Sequence, residues 1–306
     1  MRSLSPYLCL AFALAVPHAA YASDLDISLR GLGIETSTNT APNERLRLLT
    51  SELAFALSPR AVAPARTLGM SGFEFSVDAT IVNIHAGRDY WKGGVTDPRL
   101  GAGQTTDAVT EQGQLGKGQP GSLQGVVGFH FRKGLPFSVE LGADVNYLLN
   151  SSMFMLGGSV RWAILEGYHY LPDLSVRGAV GRLMGANDID MVTAEFSGTL
   201  GKTFAAGGVC TLAPYVGYGM MLVDVNSNVI DFTPTNAADN QAVQRPGGSL
   251  YTFDQLSLGS NTYNRVFAGL QFHSYIISVT YQFDAGFISK TSLVLPTNTF
   301  RLGLDL

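Results

Sequence analysis

Apolar and polar residues alternate one by one along much of this chain. The stretch 299–306 shows the pattern most simply, with large apolar side chains on one face and polar or small ones on the other: Phe300, Leu302, Leu304 and Leu306 against Thr299, Arg301, Gly303 and Asp305. A period of two is the side-chain period of a β-strand. The pattern therefore predicts a strand with one apolar face, and the same alternation recurs upstream.

The alternation predicts about ten strands after residue 71, with twelve possible. Several of them read as apolar on one face throughout, and 137–149 is the most regular. The stretch 211–224 differs, because both of its faces are apolar or glycine. The predicted strands are 73–85, 123–132, 137–149, 154–166, 174–184, 192–204, 211–224, 263–272, 277–284 and 299–306.

The chain before residue 71 has a different organisation. Residues 1–22 read as a secretory signal peptide, with an apolar core and an Ala20-Tyr21-Ala22 cleavage site. Within the N-terminal segment 23–70, leucines spaced by three and four predict an amphipathic helix over 44–57, capped by Asn43 and stopped by Pro59. Two placements of this helix stay open, a plug in the barrel or a periplasmic helix packed on the barrel base.

Connection lengths distinguish possible architectures of residues 71–306. The three longest predicted connections, roughly 86–122, 225–262 and 287–298, follow strands one, seven and nine. All three therefore lie at the same end of the strands, and the connections at the other end are short. Short periplasmic turns and long external loops are typical of membrane barrels, whereas a soluble sandwich has no reason to sort its loops in this way.

These patterns resemble Gram-negative outer-membrane β-barrel proteins of the porin-like class. The resemblance covers about three quarters of the chain and implies an all-β, transmembrane, antiparallel up-and-down barrel with a short N-terminal helix. It also implies an outer-membrane location, contact with outer-membrane lipid and recognition of the terminal strand by the barrel-assembly machinery. Five aromatic residues are candidates for interfacial girdles: Trp162, Tyr147, Phe137, Phe283 and Phe300.

If the apolar faces meet lipid, the opposite faces line the interior and supply the candidate site. This inner set carries charges of both signs, which predicts ion pairs across the lumen more readily than a solute-binding role. Small residues between the charges leave room for water, a solute or the N-terminal segment. The candidate pore-lining residues are Glu74, Asp78, Glu140, Asp144, Arg161, Arg177, Glu195, Arg265, Asp284 and Arg301, and Arg132 and Asp305 belong to the same faces.

Composition and motifs narrow the function. The formal charge of −4 gives no reason to expect a nucleic-acid partner. No phosphate-binding loop, metal-spaced His/Cys cluster or serine-nucleophile elbow is present, so we expect no cofactor and no enzyme activity. His85 near Asp89 is the one His–Asp pair near the predicted outer rim, and solvation in a loop explains it better than catalysis.

We therefore expect a narrow passive channel for small solutes. The alternative is a surface adhesin or structural barrel that acts through its long external loops, and an outer-membrane hydrolase ranks third. Sequence alone selects no solute, because a fold does not determine a function.

Overall fold

Ten long strands form one closed antiparallel barrel in the computed structural model. The structure describes residues 29, 32, 42–91, 121–186, 188–231, 250–258, 261–288 and 293–306. The barrel strands are β1 (Phe73–Asn83), β2 (Leu123–Leu135), β3 (Val139–Leu148), β4 (Phe154–Leu165), β5 (Asp173–Met184), β6 (Ile189–Gly201), β8 (Cys210–Ser227), β11 (Thr262–Ser274), β12 (Ile277–Ile288) and β13 (Val294–Asp305). A short strand β7 (Phe204–Ala206) pairs with the start of β8, and β9 (Ile230–Asp231) pairs with β10 (Leu250–Tyr251).

Neighbouring strands in the sequence are neighbours in the barrel, and two seams close the ring. One seam joins β8 to β11, and the other joins β1 to β13 from Glu74↔Asp305 to Val82↔Thr297. At the end of the second seam, the Phe73 and Leu306 main chains exchange hydrogen bonds of 2.8 and 2.7 Å. The predicted ten-stranded up-and-down barrel is confirmed, and closure leaves no unpaired edge among these strands.

Two details of the predicted strands were wrong. Phe137 is not the first residue of β3, because it lies in a 3₁₀ turn (Pro136–Ser138) with φ of 64° and is 90% exposed. The third long connection, predicted over 287–298, shrinks to 289–293, because β12 continues to Ile288 and β13 begins at Val294. Inward-facing Ile288 and Leu295 are buried in the interior, which explains why both strands extend this far.

The remaining connections show the predicted asymmetry and define the two ends of the barrel. At one end, here called the loop end, the connections 84–122 and 228–261 are long. At the other end, the turn end, the connections are short, and Tyr275 and Ile276 alone join β11 to β12. Strand β1 begins at the turn end, where the N-terminal segment enters it.

The outer surface of the barrel is apolar. On β13, Phe300, Leu302 and Leu304 are 56, 57 and 44% exposed, whereas inward-facing Thr299 and Arg301 are buried. All five candidate girdle aromatics are exposed, with Trp162 and Phe137 near the turn end, Tyr147 near the loop end and Phe300 at mid-height. No helix among the described residues is long and apolar enough to cross a membrane.

The N-terminal helix α1 (Pro42–Leu57) lies inside the barrel at the loop end. Of the two placements that the sequence left open, this position corresponds to the plug in the barrel and differs from packing on the periplasmic base. Asn43 does not cap the helix, because it lies in the first turn and its side chain bonds to Asp254. The helix is buried on all sides, so that Arg45 and Glu52 are as inaccessible as Leu46 and Leu49.

A ring of apolar side chains, here called the apolar collar, surrounds the helix. Every barrel strand contributes at least one inward-facing residue near its loop end, and these residues belong to one buried cluster with the helix leucines. Burial of each leucine of α1 contributes roughly 1.5–3 kcal/mol relative to exposure, so docking of the helix is strongly favoured. The collar consists of Val82, Val126, Leu148, Met155, Leu183, Met191, Val223, Tyr263, Ile288 and Leu295.

From the helix the chain descends through the lumen as a segment without regular structure, residues 58–68, here called the threaded segment. Glu166, in the turn after β4, anchors its lower end. Thr67 donates to this carboxylate from its backbone N–H at 2.9 Å and from its hydroxyl at 2.9 Å, and Ser138 donates at 2.6 Å. Partial burial opposes ionisation, but the Ser138 and Thr67 hydrogen bonds outweigh it and lower the pKa of Glu166.

We expect an arginine at the mid-height outer position Phe300 to destabilise the barrel. Phe300 pairs with Ala79 in the middle of β1 and contacts the Tyr281 ring at 4.9 Å between centroids. Phe300→Arg should lower the free energy of unfolding in lipid vesicles by about 2–4 kcal/mol, because a charge there meets hydrocarbon. The matched variant Phe300→Leu should lose only about 0.5–1.5 kcal/mol, the value of the ring contact. Equal losses would contradict a lipid-facing position.

Acid should weaken the Glu166 anchor. A carboxylate with a lowered folded-state pKa contributes stability that is complete above its unfolded pKa and is lost as the pH falls through the folded value. The wild-type protein should therefore lose more thermal stability than Glu166→Gln as the pH falls from neutral to below about 4.3, the ordinary glutamate value. Melting curves across this range, recorded for both proteins in the same detergent, test this. Parallel losses would show that the anchor does not depend on the charge.

Candidate functional site

The interior of the barrel divides into two zones. The apolar collar occupies the loop end, and below it the wall is charged. All ten candidate pore-lining residues face inward and are buried, and Arg132 and Asp305 face the same space. We call this set of twelve the charged zone: Glu74, Asp78, Glu140, Asp144, Glu195, Asp284 and Asp305 with Arg132, Arg161, Arg177, Arg265 and Arg301.

Most pairs in the charged zone form between adjacent strands instead of across the lumen. Glu74 and Arg132 are register partners on β1 and β2, and Arg132 also lies 3.1 Å from Glu140 on β3. Asp78 and Arg301 are register partners across the closing seam, at 2.9 Å. The charges therefore join wall strands to one another, and opposite signs offset part of the cost of burial.

His130 links two of these pairs, a role that its position in the sequence did not suggest. Its Nδ1 forms a hydrogen bond of 2.5 Å with Asp144 Oδ1, and its Nε2 lies 2.7 Å from Asp78 Oδ2. His130 thus connects the inner faces of β1, β2 and β3.

The threaded segment is bound mainly through its main-chain carbonyl groups. Three arginines of the wall donate to these carbonyls: Arg177 to Pro59 at 3.3 Å, Arg301 to Val62 at 2.9 Å, and Arg161 to Pro64 at 3.2 Å. At the upper end, the Asn146 side chain donates to the Leu57 carbonyl at 2.9 Å. These bonds satisfy a buried chain that lacks secondary structure, which would otherwise lose its hydration without replacement.

The junction between the helix and the threaded segment adds one positive charge, Arg60, to the charges of the wall. Arg60 is buried and donates to Thr80 at 3.2 Å and to the last turn of the helix at the Phe55 carbonyl, at 3.0 Å. Arg265 lies 3.1 Å from Glu195, donates to Ser58 at 3.0 Å and stacks over the Phe55 ring at 4.5 Å. The helix end is therefore bonded to the charged zone as well as packed in the collar.

Two aromatic side chains of the wall fill the part of the lumen that the segment leaves free. Tyr215 on β8 and Phe267 on β11 are buried together with Ala61, and their ring centroids are 6.5 Å apart in an edge-to-face arrangement. Each ring lies over a glycine of the neighbouring strand, and a Cβ at Gly217 would come within 2.1 Å of the Phe267 ring. The Tyr215 hydroxyl donates to Gln282 at 2.7 Å.

Below the aromatic pair the lumen opens into a cavity of about 320 Å³ at the turn end. The cavity has a polar lining that includes Glu74, Arg132, Gln271, His273 and Asp305. His273 Nε2 lies 3.0 Å from Asp305 Oδ2 in its wall. The cavity forms a vestibule that ends at Pro64 of the threaded segment and at Ala213, below the aromatic pair.

At the loop end, Glu52 fastens the helix to the connection that follows β1. Its buried carboxylate accepts hydrogen bonds from the Tyr90 hydroxyl at 2.8 Å and from the Trp91 indole at 2.7 Å. The His85 backbone donates at 3.1 Å, and the His85 ring lies at 2.8 Å. His85 is therefore a partner of α1, and the side chain of Asp89, its suggested partner, lies outside the described residues.

Sequence analysis predicted the charged wall and left open whether the N-terminal segment fills the lumen. The inner faces of the strands change from polar to apolar toward the loop end, and this change is visible in the sequence at positions such as Val82 and Leu148. The ambiguous double-apolar strand, now β8, carries the same signal in Met221, Val223 and Val225, all of which are buried near the helix. Only the closed barrel shows that these residues lie at the same height in the lumen.

No family model matches the chain, and no curated protein matches it. Structure comparison finds Ail, the attachment invasion locus protein of Yersinia pestis, at 10% identity and a TM-score of 0.28, covering 78% of this chain and 99% of that chain. The N-terminal β-barrel domain of Pseudomonas aeruginosa OprF matches at 12% identity and 0.27, covering 78 and 99%. Neisserial surface protein A matches at 9% identity and 0.28, covering 76 and 96%.

Likeness at this level carries no functional information, and the fold assignment rests on the barrel itself. Ten antiparallel strands close into a ring, the outer surface is apolar, and the charges are turned inward. The chain therefore has the fold of a Gram-negative outer-membrane β-barrel, with a lumen filled by its own N-terminal helix and threaded segment.

Proposed function

We propose that this protein is a gated outer-membrane channel for small hydrophilic solutes, closed in the described state by α1 and the threaded segment. The observation that supports this most directly is the charged zone. Its twelve charged residues line a lumen that is occupied mainly by a removable part of the same chain. This refines the expectation of a narrow passive channel, which left open whether the lumen is plugged.

The cost of burying charge supports a hydrated state of the charged zone. Removing a charged pair from water costs several kcal/mol per ion, and apolar residues of similar size are often as stabilising or more so. The apolar collar shows that this barrel can bind its own helix without wall charges. The arginines that bind the threaded segment account for part of the charged zone in the closed state, and the whole zone would be hydrated once the lumen opened.

The way in which the threaded segment is held also supports release. Its hydrogen bonds to the arginines use main-chain carbonyls, and each such bond contributes only about 0.5–3 kcal/mol net in water. After release, water can take the place of every carbonyl on Arg161, Arg177 and Arg301. The ion pairs between wall strands would remain, so the barrel would keep its shape as it opened.

The same structure supports one orientation in the membrane. Long connections lie at the loop end and short ones at the turn end, which in outer-membrane barrels face the outside and the periplasm respectively. In this orientation the vestibule opens to the periplasm, and the helix closes the external mouth. The same proposal includes removal of residues 1–22 and location of the mature protein in the outer membrane.

A second candidate is a surface-recognition or structural barrel, the alternative that the sequence left open. The docking of α1 favours it, because five leucines are buried in the collar and Glu52 ties the helix to the connection after β1. A barrel that never opens would serve as a rigid support for its loop end. Conductance separates the two candidates.

A disulfide between the threaded segment and the wall should hold the channel closed. A Cβ at Gly157 would lie 3.3 Å from the Pro59 Cβ, close to the separation that a disulfide needs. In a Cys210→Ser background, Pro59→Cys with Gly157→Cys should show openings in planar bilayers under reducing conditions and none after oxidation. The double serine variant at these positions is the control and should not respond to oxidant. Openings that persist in the oxidised protein would show that the segment is not the gate.

Removal of the N-terminal segment should leave an open, weakly cation-selective pore. The charged zone contains seven carboxylates and five guanidinium groups, an excess of two negative charges (7 − 5 = 2) once Arg60 is absent. Deletion of residues 23–69 should give steady conductance and a reversal potential on the cation side in a salt gradient. If the variant folds, as shown by heat-modifiable migration on a gel, but gives no conductance, the channel proposal is contradicted and the second candidate is favoured.

A further inference from the structure

The two ends of the threaded segment lie at opposite ends of the barrel. Below it, Thr67 is bonded to Glu166 at the turn end, and the chain enters β1 at Phe73. Above it, Leu57 is bonded to Asn146 near the loop end, and α1 continues into the collar. The chain therefore passes through the full height of the charged zone before it forms the first strand of the wall.

The described residues before the threaded segment all contact the loop end. The Leu29 backbone N–H donates to Asp188, in the connection between β5 and β6, at 2.9 Å. Leu29 and Leu32 are buried in the same cluster as the collar. At the start of the helix, Asn43 bonds to Asp254, in the connection between β8 and β11.

Among the described residues, the chain passes through the lumen once. Hydrogen-bonded register surrounds the lumen without a break, including nine residue pairs at the β1–β13 seam. Inside this ring the threaded segment, the arginines that bind it and the Tyr215–Phe267 pair occupy the lumen at mid-height.

We infer that the protein threads its own barrel and displays the start of its N-terminal helix at the external mouth. Leu29, Leu32 and α1 then lie on the external side, although the chain joins the barrel from the periplasmic side. The inference rests on the orientation given under the proposed function, but it does not depend on conduction. It assigns the barrel a second role, which is to carry a segment of its own chain across the membrane.

Threading bears on the closure of the barrel. If the segment lies inside before the last seam forms, α1 does not have to pass through a closed ring of strands. Strand β1 follows the threaded segment directly and pairs with β13, the last strand of the chain. The β1–β13 seam is therefore the one that closes around the segment.

Cysteine labelling on intact cells tests the threading. In a Cys210→Ser background, single cysteines replace Asn43 before the segment and Met70 after it. Leu258→Cys, 40% exposed in a loop-end connection, is the external control, and Met70 is 72% exposed at the turn end. The probe is a membrane-impermeant maleimide, applied before and after permeabilisation of the outer membrane. Heat-modifiable migration identifies the variants that fold, and labelling in urea gives the total thiol.

We expect Asn43→Cys and Leu258→Cys to be labelled in intact cells at least tenfold more than Met70→Cys, which should react only after permeabilisation. Labelling of Asn43→Cys only after permeabilisation, with Leu258→Cys accessible throughout, would overturn the threading. Labelling of Met70→Cys alone in intact cells would reverse the orientation and overturn external display. If the labelling pattern is as expected but the protein shows no conductance, the channel proposal is rejected and external display still holds.

Discussion

The packing of one helix inside a ring of ten apolar side chains is the interaction on which the rest of the structure depends. A ring of this size needs something to fill it, and here the filling comes from the chain itself. Because α1 is fixed at the loop end, residues 58–68 must cross the lumen to reach β1. The position of the helix thus determines the path of the segment and the closure of the lumen.

The two zones of the lumen follow different physical rules. In the collar, burial of apolar surface holds the helix, and the contacts depend on shape. In the charged zone, guanidinium groups bind backbone carbonyls, and the contacts depend little on which side chains the segment carries. The Tyr215–Phe267 pair adds a barrier that belongs to the wall and would stay if the segment left.

Alternation predicted the barrel because lipid and lumen impose opposite demands on successive residues of every strand. The ten strands and the inward direction of all ten candidate charges followed from this period of two. Strand ends were less certain where the inner face turned apolar, as at Ile288 and Leu295. At these positions the inner and outer faces are both apolar, so the alternation is lost and the sequence resembles a connection.

The sequence by itself determined the class of fold, the number of strands and the charges that face inward, because each of these depends on local alternation and turn positions. Only the tertiary structure decided where the helix sits, which partners Asp78, Asp144 and His130 find, and which residues form a ring at one height. These depend on how ten strands are staggered around a closed circle, and that stagger places residues far apart in the sequence at the same level. The leucines of α1 show that it must pack against an apolar surface. The ring shows that this surface lies inside the barrel.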